Sequence, residues 1–294
     1  MVDAHDSGSC GASLPGSSPG FRIGGSLPTL KQDMLTSIQN PLVKQFRKLH
    51  RTKYRREQHL FLLEGTHLLE SALKVNYPLE TVCCTPQWQL RHPELWENLT
   101  KCTERAEIVS PEVMQAIATT VNPDGVVALA QCQTNNTPPL TNTNLLLVLE
   151  RLQDPGNLGT IIRSAVATNV DGLWLSSDSV DLENPKVIRA SAGEWFRLPM
   201  GVTQNLQDLI TTYQTQGVQV VATLPRAKKT YWEVDFTQPT LILLGNEGAG
   251  LSDDLISLAN EQVTIPLSGE VESLNVAIAS ALLLFEFTRQ KKIP

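Results

Sequence analysis

Two α/β domains in tandem, the second built on a mostly parallel sheet, are the fold class this sequence predicts, and three observations predict it. Short apolar runs of strand length alternate with helical patterns from residue 35 onward. One run, LLLVLE at 145–150, is apolar without alternation, as a strand covered on both faces must be. A polar stretch with two prolines, QTNNTPPLTNT at 133–143, separates the two series and reads as a linker. The 294-residue chain therefore divides into a tail at 1–33, a first domain at 34–132, the linker at 133–143 and a second domain at 144–294.

Residues 1–33 cluster Ser, Gly and Pro with almost no apolar periodicity, a composition that cannot offset chain entropy and is expected to be disordered. Met34 stands directly before the first foldable segment and is a candidate start. Asn40-Pro41 opens a helix with Pro in its first turn, expected to run through PLVKQFRKLHRTKYRR. Leu42, Val43, Phe46 and Leu49 share one face of it. Lys44, Arg47, Lys48, Arg51, Lys53, Arg55 and Arg56 give the rest seven positive charges and no acidic one. A solvated face is the plain reading of such a run. Tyr54, His50 and His59 beside it favour RNA, since rings with cations suit unpaired nucleotides. His67 reads as a packed or surface histidine. Strands follow at 60–64, 81–85, 106–109 and 125–130, with helices THLLESALK, PELWENLTK and PEVMQAIA between them.

The second domain opens with the 145–150 strand and passes into RLQDPGNLGTIIRSAVA, where Asp154-Pro155 starts a turn or helix. Taken singly, Asn157 is a cap, Gly159 a close-packing glycine and Arg163 an ordinary ion-pair partner. Further strands lie at 172–176, 218–223, 240–245 and 262–266, with helices around 185–191 and 206–216. GNEGAGLS at 245–252 is a glycine-rich turn after a strand, ordered GxxGxG, so it is neither a dinucleotide fingerprint nor a P-loop. Glu247 within it points to a polar network, with Arg163 or Ser273 as expected partners. Val263–Ile265 ends at Pro266, and a loop with Ser268, Gly269 and Glu270 leads to a helix that Ser273 or Asn275 could cap. From Val276 to Phe287 only Ser280 and Glu286 are polar, so that helix must bury more than one face, one of them against a second subunit. Polar groups at a buried helix start can build a pocket for a charged or nucleotide-like ligand.

Composition narrows the chemistry. No apolar run reaches the length of a membrane span, and no signal-peptide pattern opens the chain, so a cytoplasmic protein is expected. Five cysteines, odd in number and without a CxxC pair, fit free thiols in a reducing compartment. The net charge is −6, yet residues 31–133 carry 12 basic against 11 acidic side chains, and 134–294 carry 11 against 17. A local basic patch can still act, because screening confines exposed charges to about 8 Å. No histidine follows His92 and no cysteine follows Cys132, which removes a His base, a Cys nucleophile and a Cys/His metal site from the second domain.

Three segments, NLGTIIRSA (157–165), LILLGNEGAGLS (241–252) and IPLSGEVESLNVAIASAL (265–282), resemble in order and spacing the motifs of SpoU/TrmH-type RNA ribose 2′-O-methyltransferases of the SPOUT superfamily. RASAGEWFRLP at 189–199 looks like that family's intervening segment, and Leu267 stands where Met is common. SIQNPLVKQFRKLHRTKYRREQHLFLLEGTHLLESAL resembles the opening of its ribosomal-protein-like substrate-binding domain, which points to ribosomal RNA of 23S type over tRNA. The resemblance implies a deep trefoil knot at the C-terminus, S-adenosyl-L-methionine as cofactor, a homodimer, and no metal or membrane. It places the cofactor at Thr223, Leu224, Gly245, Ile265, Ser273 and Leu274, and the family's functional residues at Asn157, Arg163, Glu247, Ser273 and Asn275.

The implied reaction is in-line attack of a ribose 2′-hydroxyl on a sulfonium methyl, in which the protein supplies alignment and charge placement. An arginine is neutral too rarely near pH 7 to serve as base, so Arg163 is expected to clamp the neighbouring phosphate. The rival from another class is a non-catalytic RNA-binding or ribosome-assembly factor on the same scaffold. Methylation of a base nitrogen is disfavoured by the ribose-type motifs. Deleting residues 1–33 is expected to leave the melting temperature and methyl transfer unchanged. Lost solubility or a large fall in turnover would show that the tail is structural.

Overall fold

The computed structural model describes residues 34–133, 137–269 and 271–291. The expectations for residues 1–33 and for Glu270 lie outside them. The first domain runs α1 (Pro41–Lys48), α2 (Thr52–Gln58), β1 (Leu60–Glu64), α3 (Thr66–Lys74), β2 (Leu79–Cys84), α4 (Pro86–Arg91), α5 (Pro93–Cys102), β3 (Thr103–Ile108), α6 (Pro111–Ile117) and β4 (Val126–Gln131). Its four strands form a mixed sheet ordered β1-β4-β2-β3, in which only β2 and β3 are parallel. The single basic helix expected at 41–56 is in fact two. Leu49 is fully buried, Arg51 adopts an extended backbone, and the freed Leu49 carbonyl accepts from Arg55 Nη1 at 2.8 Å. A side-chain donor thus replaces the helical one that the break removes. The short helix α4 was not expected; Pro86 at its start and the Thr85 cap set it.

The second domain runs β5 (Leu145–Leu149), α7 (Pro155–Ala167), β6 (Gly172–Ser176), α8 (Pro185–Ala190), β7 (Met200–Thr203), α9 (Leu206–Thr215), β8 (Gln219–Thr223), β9 (Lys229–Thr230), β10 (Thr240–Leu244), α10 (Asp253–Leu258), β11 (Glu261–Thr264) and α11 (Val276–Lys291). Seven strands lie in the order β7-β6-β5-β10-β8-β11-β9, and every pairing is parallel. The edge strands β7 and β9 are short and lack a long apolar run, which is why they were missed. Strands β5 and β10 are wholly buried at the centre, as the unbroken apolar run of 145–150 required for the first of them. The linker is not free along its length: Pro138 packs against Gly172, and Pro139 accepts from the Tyr213 hydroxyl at 2.9 Å. Among the described residues no helix is long and apolar enough to cross a membrane.

The domains share one apolar core. Phe61 and Tyr77 of the first meet Trp195 of the second at ring-centroid distances of 5.2 and 5.9 Å. Two ion pairs also join the domains, one buried and one partly exposed. Arg55, 2% exposed, donates to Asp181 from Nε and Nη2 at 3.0 and 2.5 Å. Burial opposes the charge on Asp181, but the Glu183 hydrogen bond and the Arg55 guanidinium outweigh it and hold that carboxyl low. Burial and the same hydrogen bond push Glu183 up to about 7. Glu64 accepts from the amides and hydroxyls of Thr119 and Thr120 and from Arg189 Nη1 at 3.2 Å. Burial raises its pKa, yet those hydrogen bonds and the arginine together hold it below the ordinary range.

Helix α7 is pressed onto α8 at Gly159, where a Cβ would lie 2.4 Å from Ala190 Cβ and 2.8 Å from Ala190 carbonyl carbon. The close-packing role expected of this glycine is what the structure shows. Backbone lies on the far side of the contact and cannot yield cheaply, so Gly159→Ala is expected to cost about 1–3 kcal/mol. Each kcal/mol should lower the melting temperature by roughly 2–4 °C in a domain of this size. An unchanged thermal transition would contradict that account.

Candidate functional site

All seven strands are parallel, so their carboxyl ends share one edge, and every motif loop leaves from that edge. The strand order also reverses between β5 and β10: β6 and β7 follow to one side, β8 and β11 lie to the other. Ligands of open parallel sheets bind outside the carboxyl ends at such a reversal. Helix α7 starts above β5, capped by Asp154, whose Oδ1 accepts from Asn157 N at 2.8 Å. Across the reversal, the loop after β10 is closed by paired Asn246 and Gly250 backbone bonds of 3.0 and 2.9 Å. Gly245 is required there, because a Cβ would sit 2.1 Å from the Gly250 carbonyl carbon.

The side chains then join three distant segments. Asn275 Nδ2 donates to Asn157 Oδ1 at 2.9 Å, and Asn157 Nδ2 donates to Glu247 Oε1 at 3.1 Å. Asn275 Oδ1 meanwhile accepts from Ala277 N at 2.9 Å and Ile278 N at 3.4 Å, so it is Asn275 that caps α11. Of the two partners expected for Glu247, neither is used. Arg163 is exposed and makes no hydrogen bond or ion pair with a described residue, and Ser273 is exposed and stands apart from the network. Glu247 instead holds Asn157 and the Asp154 amide, the latter at 3.4 Å. Lys186 pairs with Asp154 at 3.9 Å.

Four of the expected cofactor residues stand at the ends of three neighbouring strands: Thr223 closes β8 and Leu224 follows it, Gly245 follows β10 and Ile265 follows β11, while Ser273 and Leu274 precede α11. The Leu224 amide donates to Val263 O at 2.8 Å. Thr223 Oγ1 is buried without a hydrogen-bond partner. A buried hydroxyl so placed is costly unless a ligand satisfies it, which fits a polar cofactor here. Two supporting residues escaped the sequence reading. Asn246 Oδ1 accepts from Gly248 and Ala249 amides at 2.9 Å each while its Nδ2 donates to Arg151 O at 2.8 Å, and Glu150 accepts from Ser252 N at 2.7 Å. An Asn before a glycine-rich turn was the available signal for the first. Among the described residues no acidic, His or Cys group is placed to hold a metal.

Beside this network, α7 and α11 leave an open groove of about 610 Å³. Asn157 and Asn275 stand at one end of it, and Ile278 and Phe285, 54% and 55% exposed, form its apolar wall with Tyr231. None of the expected cofactor residues lines it. On the first domain, Lys44, Arg47, Lys48, Arg51, Lys53 and Arg56 are exposed, and the Lys48 and Lys53 ammonium groups lie 5.8 and 5.9 Å from the Tyr54 ring centre. Arg55 must be removed from that surface set. Its guanidinium points inward to Asp181, Leu49 and Thr52.

Residues 144–285 match the SpoU rRNA Methylase family, and residues 40–128 match the MRM3-like substrate binding domain. An uncharacterized tRNA/rRNA methyltransferase of Synechocystis is 50% identical over 258 residues, which cover 87% of this chain and 94% of that one. The 23S rRNA (guanosine(2553)-2'-O)-methyltransferase of Bacillus subtilis is 31% identical over 251 residues, covering 85% and 97%. The AdoMet-bound rRNA methyltransferase from Sinorhizobium meliloti superposes with a TM-score of 0.78 at 32% identity, over 87% of this chain and 97% of its own.

Reversing the charge of Arg47, Lys48, Arg51 and Lys53 together is expected to weaken RNA binding and flatten its salt dependence, with cofactor affinity unaltered. Arg55→Glu is expected to act differently, lowering the melting temperature by leaving carboxylates facing one another. RNA affinity that ignores both salt and the fourfold reversal would return α1 and α2 to a plain solvated face.

Proposed function

Because the chain belongs to the SpoU rRNA methylase family, we propose that it methylates a ribose 2′-hydroxyl of ribosomal RNA of 23S type, using S-adenosylmethionine. The observation that carries this reading is the Asn275–Asn157–Glu247 chain, which brings the three motifs to the strand-order reversal of the sheet. When bound, S-adenosylmethionine supplies an electrophilic methyl group. Thr223, Leu224, Gly245, Ile265, Ser273 and Leu274 would hold it, with the unpaired Thr223 hydroxyl as one polar contact. Asn157 and Asn275 fix the starts of α7 and α11, so the loops that flank the reacting groups do not drift. Arg163 has no competing carboxylate and is free to grip the phosphate next to the reacting ribose, drawing the 2′-hydroxyl into line. No histidine or cysteine of this domain is available as base, so proton removal falls to Glu247, a hydroxyl or the RNA phosphate.

Within this reading the first domain is the RNA-binding unit, the second carries the knotted C-terminus, and the chain acts as a homodimer. The α7/α11 groove supports the dimer, since its wall exposes Ile278 and Phe285 on a helix otherwise packed into the core. Purified protein incubated with unmodified 23S rRNA and S-adenosylmethionine should leave one nucleotide step resistant to alkaline cleavage. Binding of the RNA without any such step would favour an assembly factor instead.

The dimer also decides where the site is completed. Arg163 lies on α7 beside the groove, whereas the cofactor loops follow β8, β10 and β11, so Arg163 of one subunit serves the cofactor of the other. Arg163→Ala and Gly245→Val, each inactive and each confirmed dimeric, are expected to recover about half the wild-type activity per dimer when mixed, because one of two shared sites is then intact. Mixed dimers that stay inactive would place a whole site in each subunit.

A further inference from the structure

In this acidic second domain almost every described cation has a partner. Arg151, Lys186, Arg189, Arg197, Lys229 and Arg289 each pair with a carboxylate, and Lys291 donates to Thr237 O at 2.7 Å. Arg163, Arg226 and Lys228 do not: all three are exposed and make no hydrogen bond or ion pair with a described residue. Arg163 has its place in the reaction proposed above. The other two lie on the segment that leaves β8 directly after Thr223.

That segment is held firmly around its free groups. Pro225 O accepts from Thr264 Oγ1 at 3.0 Å, Lys229 bridges to Glu261 at 3.0 Å, and β9 pairs in parallel with β11 up to Thr230 opposite Thr264. Glu233 turns back to accept from the Thr230 amide and hydroxyl at 2.7 and 2.5 Å, closing a capping box. Asp235 is likewise turned onto Thr237. Trp232 then stands 54% exposed, with Tyr231 beside it at a centroid distance of 5.2 Å. The other two tryptophans of this domain differ: Trp174 and Trp195 donate their indole N–H groups to Tyr213 and Leu182 O at 3.0 Å each. Tyr231 lines the α7/α11 groove, but Trp232 does not.

We propose that Arg226, Lys228 and Trp232 form a second RNA-contact surface at the cofactor edge of the sheet, the cations taking phosphates and the indole stacking on an unpaired base next to the methylated nucleotide. This rests on the reading of the chain as an RNA ribose methyltransferase. Two unpaired cations and an exposed aromatic side chain on one short segment match the chemistry of single-stranded RNA, where stacking carries affinity without a fixed base sequence. The rigid frame means that little order is lost on binding. The position one strand away from Ile265 places the surface against RNA delivered to the cofactor loops, on a domain whose other described cations, Arg163 apart, are already engaged.

The test compares the full chain with Trp232→Ala, Trp232→Phe and the Arg226→Ala/Lys228→Ala double variant. The probe is an unmodified 23S rRNA transcript titrated at several salt concentrations, with S-adenosylmethionine affinity and solution mass measured alongside. Trp232→Ala should weaken RNA binding by about fivefold or more, the low end for one stacked base, and Trp232→Phe should recover most of it. The double variant should lessen the slope of log affinity against log salt by about 1.4, two single-strand phosphate contacts. Cofactor affinity should hold throughout. Wild-type RNA affinity and salt slope in the variants would overturn the proposal, as would a Trp232→Ala protein whose mass falls to that of a smaller oligomer, since the surface would then belong to subunit contact. Methyl transfer by the wild type is assayed separately. Failure of the enzymatic reading shows as an inactive wild type, and failure of this proposal as variants that bind RNA normally.

Discussion

The hydrogen-bonded chain from Asn275 through Asn157 to Glu247 is the constraint on which the site depends. It spans 118 positions in its first link and 90 in its second, yet its groups are otherwise short side chains on loop ends. Asparagine suits the middle position because one amide both accepts and donates. A carboxylate at 157 would face Glu247 as a like charge, and an apolar residue would leave Asn275 and Glu247 without their link. Each end is tied down separately, Asn275 by capping α11 and Glu247 by the braced turn of Asn246. Both ends are thus positioned by the fold, and pre-organised polar groups of this kind are what transfer chemistry requires.

Placement of α7 also reaches the first domain. Gly159 brings α7 against α8, and Arg189 on α8 holds Glu64 and the Thr119–Thr120 turn of the other domain. A second ion pair between the domains joins Arg55 to Asp181. Buried ion pairs contribute little net stability, because desolvation offsets most of their attraction, but they penalise any other docking angle heavily. The exposed basic face of α1 and α2 is in this way held at a set distance from the helix that carries Arg163.

Charge is distributed to match that division. The whole chain is acidic at −6, so long-range attraction to a polyanion is absent. The positive surface is local: it includes the exposed cations of α1 and α2 and, among the described residues of the second domain, Arg163, Arg226 and Lys228. In the second domain Arg151, Lys186, Arg189, Arg197, Lys229 and Arg289 are paired with carboxylates, which lessens their attraction for nucleic acid. Binding of this kind favours a defined docking geometry over indiscriminate adhesion to RNA.

Much was legible before any coordinates. An unbroken apolar run identified β5 as a strand covered on both faces, alternation with helices argued for a largely parallel sheet, and the three motifs placed Asn157, Glu247 and Asn275 in one family's pattern. Those features are local, and local patterning follows directly from backbone periodicity and burial. What the tertiary structure alone decided was which polar groups meet. Glu247 holds Asn157 and not Arg163 or Ser273, Asn275 and not Ser273 caps α11, and Arg55 lies buried while its neighbours on the same run stay in solvent. Helical spacing could not reveal the last, because it assumes one continuous helix through Leu49 and Arg51. The break there rotates Arg55 inward to a carbonyl and a carboxylate supplied from elsewhere. Partners 126 positions apart are set by how two domains pack, and no run of neighbouring residues encodes that contact by itself.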